Sequence, residues 1–361
     1  MSNIHGIGYL DTAGAYHGFI DNSGAPQICS QDYLQAVAEG DITGHTSWYN
    51  IGFTPTMTTA ESDVWSAAGI YTFPSTAQQM EVVSSNNTND IGVVIFGDAT
   101  GNTVQSDAGG STTTLVDASQ DFTAGTPVAV GDIIILDPHG ASPEIGYVTT
   151  VAAITLTCAG GFSSGGSGAT RYYAVVDKSA HTGALVVLIN WLNATYQTKR
   201  EIVVLNGTTP VDTVNVDMLR INALTVVGTG TGGKPTGNLS LRNTAGTTTY
   251  SYVTAGYNAS RNSAYTVPAN KTLYVVQVMF SYGYAANQTH YARIYLRARI
   301  NNQATFVLDN FQPFAELVCA NSATPLMFSL PEKFIQKTDL KVSGIATFSG
   351  IATVAMRGWI E

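Results

Sequence analysis

Between His290 and Ile300 every second residue is apolar: Ala292, Ile294, Leu296, Ala298 and Ile300 fall on one side of an extended chain, and Tyr291, Arg293, Tyr295, Arg297 and Arg299 on the other. A period of two is the signature of a strand with one buried face. A helix would scatter the same apolar set around its axis, because its side chains repeat every 3.6 residues. The run Lys271 to Tyr282 is apolar on both faces near its middle, as expected of a strand covered from two sides.

Apolar, β-branched runs of strand length recur along the chain, at Glu81 to Val83, Ile91 to Phe96, Leu185 to Leu192, Ile202 to Leu205 and Leu224 to Val227. Turn chemistry separates them: an Asn-rich stretch from Ser84 to Asp90, the pair Asn206-Gly207, and a glycine loop from Gly228 to Gly237. The expected fold class is all-β, with tandem β-sandwich or jelly-roll domains. Residues 51–104 and 179–245 are expected to form a split sandwich. Residues 105–178, with strands at Thr112 to Val116, Asp132 to Leu136, Tyr147 to Val151, Ile154 to Thr157 and Arg171 to Val176, are expected to form a small inserted, barrel-like module that folds by itself. Residues 246–361 are expected to form a jelly-roll-like C-terminal sandwich, using the runs Thr305 to Leu308, Leu326 to Leu330, Leu340 to Val342 and Ile351 to Trp359.

The first fifty residues lack such runs. Glycines at 6, 8, 14, 18 and 24 break up apolar pieces too short to make a core, so residues 1–50 read as an extended arm. Its one regular element is a short helix capped by Ser30, carrying Tyr33, Leu34 and Val37 on one face and ending at Gly40. Under three turns long, it needs a surface to lie on. Tyr33, Leu34, Val37 and Trp48 are therefore expected to dock on a neighbouring subunit.

Only 11% of the residues are charged, and the formal net charge is −9. That balance disfavours nucleic acid as a partner, since binding to phosphates needs an excess of Lys and Arg. A surface so poor in charge suits a protein packed against copies of itself. No stretch approaches the roughly 18 unbroken apolar residues of a membrane helix, so no membrane partner is expected. The opening MSNIHGIGYLD has no basic region followed by an apolar run, and synthesis in a cytoplasm without a secretory leader is expected. Cys29, Cys158 and Cys319 are too widely spaced for a disulfide framework or a zinc site.

Several segments together resemble a family of virion structural proteins from tailed bacteriophages. DYLQAVAEGDITGH followed by DVWSAAGIYTFPSTAQQMEVVSSNNTND is similar to that family's opening, and YTVPANKTLYVVQV with PEKFIQKTDLKV and MRGWIE to its C-terminal domain. TTTLVDASQDFTAGTPVAVGDIIIL looks like the small β-modules of phage tail and capsid accessory proteins. The resemblance implies a β-rich particle component and no catalytic motif. The chain departs from the family pattern after NNTND, where Ile91 follows directly in place of a longer Gly/Thr-rich turn.

No stretch of the sequence carries a complete catalytic or cofactor signature. Gly228 to Pro235 matches GxGxxG, but Pro235 stands where a phosphate loop needs a hydroxyl and no helix follows. The six histidines lack metal-ligand spacing and read as surface or interface residues. Glu144, Glu201 and Glu316 are the first candidates for a glycan-cleaving pair, although each reads more simply as a solvated loop or strand residue. Asp117 with Asp121, or Asn86 to Asp90, offer oxygens for calcium without the graded spacing of a calcium loop. No catalytic, metal or cofactor residue is assigned, and an enzyme is not expected.

The most distinctive polar surface is the row Tyr291, Arg293, Tyr295, Arg297 and Arg299, residue types enriched at protein interfaces and able to stack on sugars. The expected function is that of a non-enzymatic virion component, present in several copies on the particle exterior, with capsid decoration or a fibre-like accessory role ahead of neck or tail. The expected partners are the protein itself, as a homotrimer, and other virion proteins such as the major capsid protein or neck and tail proteins. A receptor- or glycan-binding tail component is the second reading, and a capsule-degrading enzyme the third.

Overall fold

The computed structural model describes residues 30–100, 103–159, 162, 170–285, 290–300 and 310–361, together with two short strand pairs, Tyr9–Leu10 with Tyr16–His17 and Phe19–Ile20 with Pro26–Gln27. The expected strand Thr305 to Leu308 lies outside the described residues.

Apart from the helix Ser30–Glu39, the regular structure is antiparallel β. Eight strands form a jelly roll: β1 (Thr46–Met57), β2 (in two pieces, Ser62–Asp63 and Tyr265–Thr266), β3 (Leu273–Gly283), β4 (Ala292–Ile300), β5 (Gln312–Cys319), β6 (Ser322–Phe334), β7 (Thr338–Ala346) and β8 (Gly350–Ile360). They make two facing sheets, ordered β1-β8-β3-β6 and β2-β7-β4-β5, which is the strand order of a double Greek key. The alternation read from the sequence sets the packing: Ala292, Ile294, Leu296 and Ala298 of β4 point inward, against Val275, Val278 and Phe280 of β3 and Val354 and Met356 of β8.

This jelly roll is not confined to residues 246–361. Its first strand comes from the segment expected to be arm and split domain, with Thr46 opposite Ile360 and Thr54 opposite Ala352. The arm therefore ends before Thr46. The pairing joins strands at opposite ends of the chain, and neither strand alone carries a sign of its partner.

Everything between the two pieces of β2 is an insertion, and its ends meet, with Ser263 N–H donating to the Val64 carbonyl at 3.1 Å. The insertion is a sandwich of a three-stranded sheet (Thr198–Val204, Ala184–Leu192, Arg220–Thr229) and a four-stranded one (Val211–Asp212, Met80–Ser84, Leu239–Asn243, Thr249–Val253). Trp191, Met80, Val187, Leu224, Leu239 and Val253 fill its core. Its last strand lies beyond residue 245, where a different domain was expected to begin.

A second insertion is nested in the first. Strands Val93–Gly97, Tyr173–Asp177, Ile133–Leu136, Glu144–Ala152, Thr155–Ala159 and Thr114–Val116 form one open six-stranded sheet, in that order. The sheet does not close into a barrel, and it begins at Val93 rather than near residue 105, because Val93–Gly97 pairs with Tyr173–Asp177. Nor is the module free-standing. One face covers its own small core around Phe122, Leu136, Leu156 and Tyr173. The other, with Ile133, Ile135, Ala174 and Val176, packs on Leu185, Val186 and Ile202 of the three-stranded sheet. That sheet is thus a middle layer, which explains the near-continuous apolar run Leu185 to Leu192.

Candidate functional site

The outer face of the β2-β7-β4-β5 sheet carries the Tyr/Arg row, and the structure divides it. At one end Tyr291 is exposed, and Arg293 pairs with Glu316 on β5 at 2.7 Å, both well exposed. Tyr295 lies between Arg293 and Arg297, with 5.7 and 4.9 Å from its ring centroid to the guanidinium carbons. At the other end the arginines are engaged within the chain. Arg297 meets Glu61 at 2.9 Å and donates from Nε to the Ser343 hydroxyl at 2.8 Å. Arg299 meets the buried Asp339 at 2.6 Å and lies 4.9 Å from the Phe311 ring. Only the Tyr291–Arg293 end remains open for a partner.

The cover is the segment from Glu61 to Phe73. Asp63 meets Lys341 at 2.9 Å, the Tyr71 ring meets those of Trp65 and Phe73 edge-on, and Phe73 stacks on Phe311 at 5.7 Å. Burial holds the Asp63 carboxyl above the usual carboxylate range, against the pull of Lys341 and the Tyr71 N–H. Asp339 goes the other way. Burial alone would raise its carboxyl, but the Arg220 guanidinium, with Arg299 and the Thr266 hydroxyl, outweighs burial and holds it below the usual range.

The arm residues are likewise spent inside the chain. The helix Ser30–Glu39 ends in a Schellman turn, with Gly40 at φ +83° and Asp41 N–H donating to the Ala36 carbonyl at 2.9 Å. It lies on the outer face of the β1-β8-β3-β6 sheet, where Val37 is buried with Val276 and Trp359. The Tyr33 ring is 4.7 Å from that of Trp359. Trp48 belongs to the jelly-roll core, 5.2 Å from the Tyr265 ring. The surface under Tyr33 and Val37 is this chain's own sheet, where a neighbour's was expected; the Leu34 side chain lies outside the described residues.

What the sequence reading missed is the open side of the jelly roll. Strands β5 and β6 each stand at one edge of their sheet and, among the described residues, pair on one side only. Apolar side chains stand in solvent along them, Val318 at 57%, Met327 at 61% and Leu330 at 79% exposure, with Phe314 beside them. Met279 on β3 and Ile351 on β8 are also exposed, on the sheet that β6 borders. Long, apolar, unpaired edges are surfaces that most monomeric β-proteins avoid.

The remaining candidates have structural partners. Glu201 is fully buried, not solvated: it takes hydrogen bonds from the Val214 N–H at 2.7 Å and the Asn215 amide at 2.8 Å, and faces His139 Nδ1 at 3.1 Å. His139, expected at a surface, is buried between Glu201 and the Ala99 carbonyl. Asp90, at the end of the Asn-rich turn, accepts from the Ser84 hydroxyl and from the N–H groups of Ala184, Thr236 and Gly237, at 2.6 to 2.9 Å. Asp117 accepts from the Tyr173 hydroxyl at 2.7 Å, and Asp121 from Thr123. Glu144 pairs with Arg171 at 3.4 Å. In the glycine loop, Gly230 and Gly232 N–H groups donate to the Gly183 and Thr182 carbonyls, so they do not face a phosphate. Among the described residues no three metal-ligating side chains gather.

The architecture defines a jelly-roll protein with two nested β insertions and an exposed apolar edge. No family model, curated protein or solved structure matches the chain.

Proposed function

We propose that the protein is a structural component of a bacteriophage virion, assembled in several copies on the particle exterior. The observation that carries this reading is the jelly roll's β5–β6 side, two long edge strands with Met327, Leu330, Val318 and Phe314 in solvent. Such an edge is satisfied when another copy covers it, and jelly rolls are a recurrent architecture of viral shells. The partners are further copies of the chain, as a trimer, and the virion proteins on which that trimer sits. The open Tyr291–Arg293 end of the aromatic and arginine row, on the sheet that β5 borders, supplies a polar rim to the apolar patch. A non-enzymatic role accords with the buried carboxylates Asp90, Glu201 and Asp339, whose oxygens are occupied by donors of the fold.

Cryo-electron microscopy of intact particles that encode this chain tests the proposal. Density fitted by the jelly roll, repeated on the exterior with β5 and β6 against a neighbouring copy, is the expected result. Particles that lack the protein altogether would overturn it.

A further inference from the structure

Where the jelly roll meets the three-stranded sheet of the insertion, a cleft of about 450 Å³ opens to solvent. Its size falls in the range of small-molecule sites, and seams between domains are a usual place for them. Arg261 is the only charged side chain lining it. Its guanidinium carbon lies 4.0 Å from the Phe53 ring centroid and 3.8 Å from that of Tyr257, so two aromatic rings hold it in place. Among the described residues it has no carboxylate partner, and its Nε is buried without a hydrogen-bond acceptor.

Among the described residues six of the nine arginines meet a carboxylate, and Arg261 stands with Arg200 and Arg357 outside that set. Arg220, Arg242, Arg293, Arg297 and Arg299 each meet a carboxylate within 2.9 Å. In a chain of net charge −9, the one arginine in the cleft is left without such a partner. A stacked guanidinium still offers its in-plane N–H groups, the edge that binds a carboxylate through paired hydrogen bonds.

The other walls are amides and aromatic rings. Asn222 is fixed by two hydrogen bonds with the Thr266 backbone, at 2.9 and 3.0 Å. Asn190 makes no side-chain hydrogen bond among the described residues, and Asn50 makes only a long one of 3.4 Å, to the Ser263 carbonyl. Amides of this kind donate to and accept from hydroxyl groups. The Tyr49 ring, 54% exposed, offers a flat face whose negative π-surface attracts the C–H side of a sugar ring, while Tyr265, packed edge-on against Trp48, shapes the wall beside it.

We infer that this cleft is a binding site for an acidic saccharide, a uronic or sialic acid unit whose carboxylate meets Arg261 and whose hydroxyls meet Asn50 and Asn190. A neutral sugar leaves the arginine unanswered, and a bare carboxylate leaves the amides and rings unused. The inference does not depend on the assembly reading, since the cleft lies at the domain seam and not on the β5–β6 edge.

The test is calorimetric titration of the full chain with sialyllactose and with a galacturonic acid hexamer, beside lactose, cellohexaose and acetate. At least one acidic sugar should bind, with neutral sugars and acetate at least tenfold weaker. Arg261→Met should lower the affinity for the acidic sugar at least tenfold. Tyr49→Ala, at an exposed position that leaves the fold intact, should lower it several-fold, which covers the case in which Arg261→Met fails to fold. Binding of neither acidic sugar, equal binding of neutral sugars or of acetate, or unchanged affinity in both variants would overturn the inference.

Discussion

Asp339 of the jelly roll and Arg220 of the inserted sandwich, 119 positions apart, form a two-pronged ion pair with Nε–Oδ1 2.9 Å and Nη2–Oδ2 3.1 Å. The carboxylate is fully buried, and it also accepts from Arg299 and the Thr266 hydroxyl at 2.6 Å. Arg220 donates further to the Pro74 carbonyl at 2.7 Å. One buried charge cluster thus fastens the insertion to its host domain and holds the strap from Glu61 to Phe73 in place.

Removing one partner of this pair strands the other in a dry seam. Arg220→Met is expected to destabilise the protein by about 3 to 5 kcal/mol, as for other broken buried pairs, whereas Arg220→Met combined with Asp339→Leu should lose less than the two single changes summed. Urea unfolding of the three variants checks this. Additive losses would mean that the two groups do not act as a pair.

The same carboxylate gives the stability curve an acid limb. Its folded pKa lies below the ordinary value, near 3.9 for a free Asp, so its contribution is complete above about pH 4 and is lost as pH falls through the folded pKa. Thermal unfolding between pH 5 and pH 2 should fall more steeply for the wild type than for Asp339→Asn. Parallel curves would contradict the assignment.

The nested six-stranded sheet should not be removable. Replacing residues 93–177 by a short glycine-serine linker uncovers Leu185, Val186 and Ile202 of the middle layer. The expected product is insoluble or loses cooperative unfolding. A milder change, Ile135→Ala, should cost about 2 to 5 kcal/mol by opening a cavity between the layers. A soluble deletion variant with wild-type unfolding of the remainder would show that the two layers do not depend on each other.

Truncation from the N-terminus should act in steps. Loss of residues 1–29 is expected to leave thermal unfolding unchanged. Loss of residues 1–45 uncovers Val276 and Trp359, a penalty of about 1.5 to 3 kcal/mol for each large side chain returned to water. Loss of residues 1–50 also removes half of the ladder from Thr46 to Asn50 against β8 and should abolish folding of the jelly roll. Calorimetry of the three truncations reads these steps directly.

The β class and the inward face of β4 were legible because alternation is local. The sandwich cores were legible for the same reason, through runs such as Leu185 to Leu192. The domain boundaries were not, because strand pairing such as that of β1 with β8 is a property of two distant segments. The division of the Tyr/Arg row was hidden likewise: Glu61, Asp63 and Phe73 cover it from a segment that sequence places far away. Asp90 shows a further limit. In sequence the Asn-rich turn ending in Asp90 offers its oxygens to a cation, and only the fold shows three backbone N–H groups converging on that carboxylate. Arg261 could not have been singled out at all, since Phe53 comes from a strand more than two hundred residues earlier in the chain.

On the assembly proposed above, the β5–β6 edge is covered by other copies of this chain. Sedimentation equilibrium of the purified protein at micromolar concentration tests it most directly. The expected result is a particle of three 38.0 kDa chains, reduced to a single chain with unchanged thermal unfolding when Met327→Asp and Leu330→Asp are combined on the exposed edge. A wild-type protein that sediments as one 38.0 kDa chain at that concentration would contradict it.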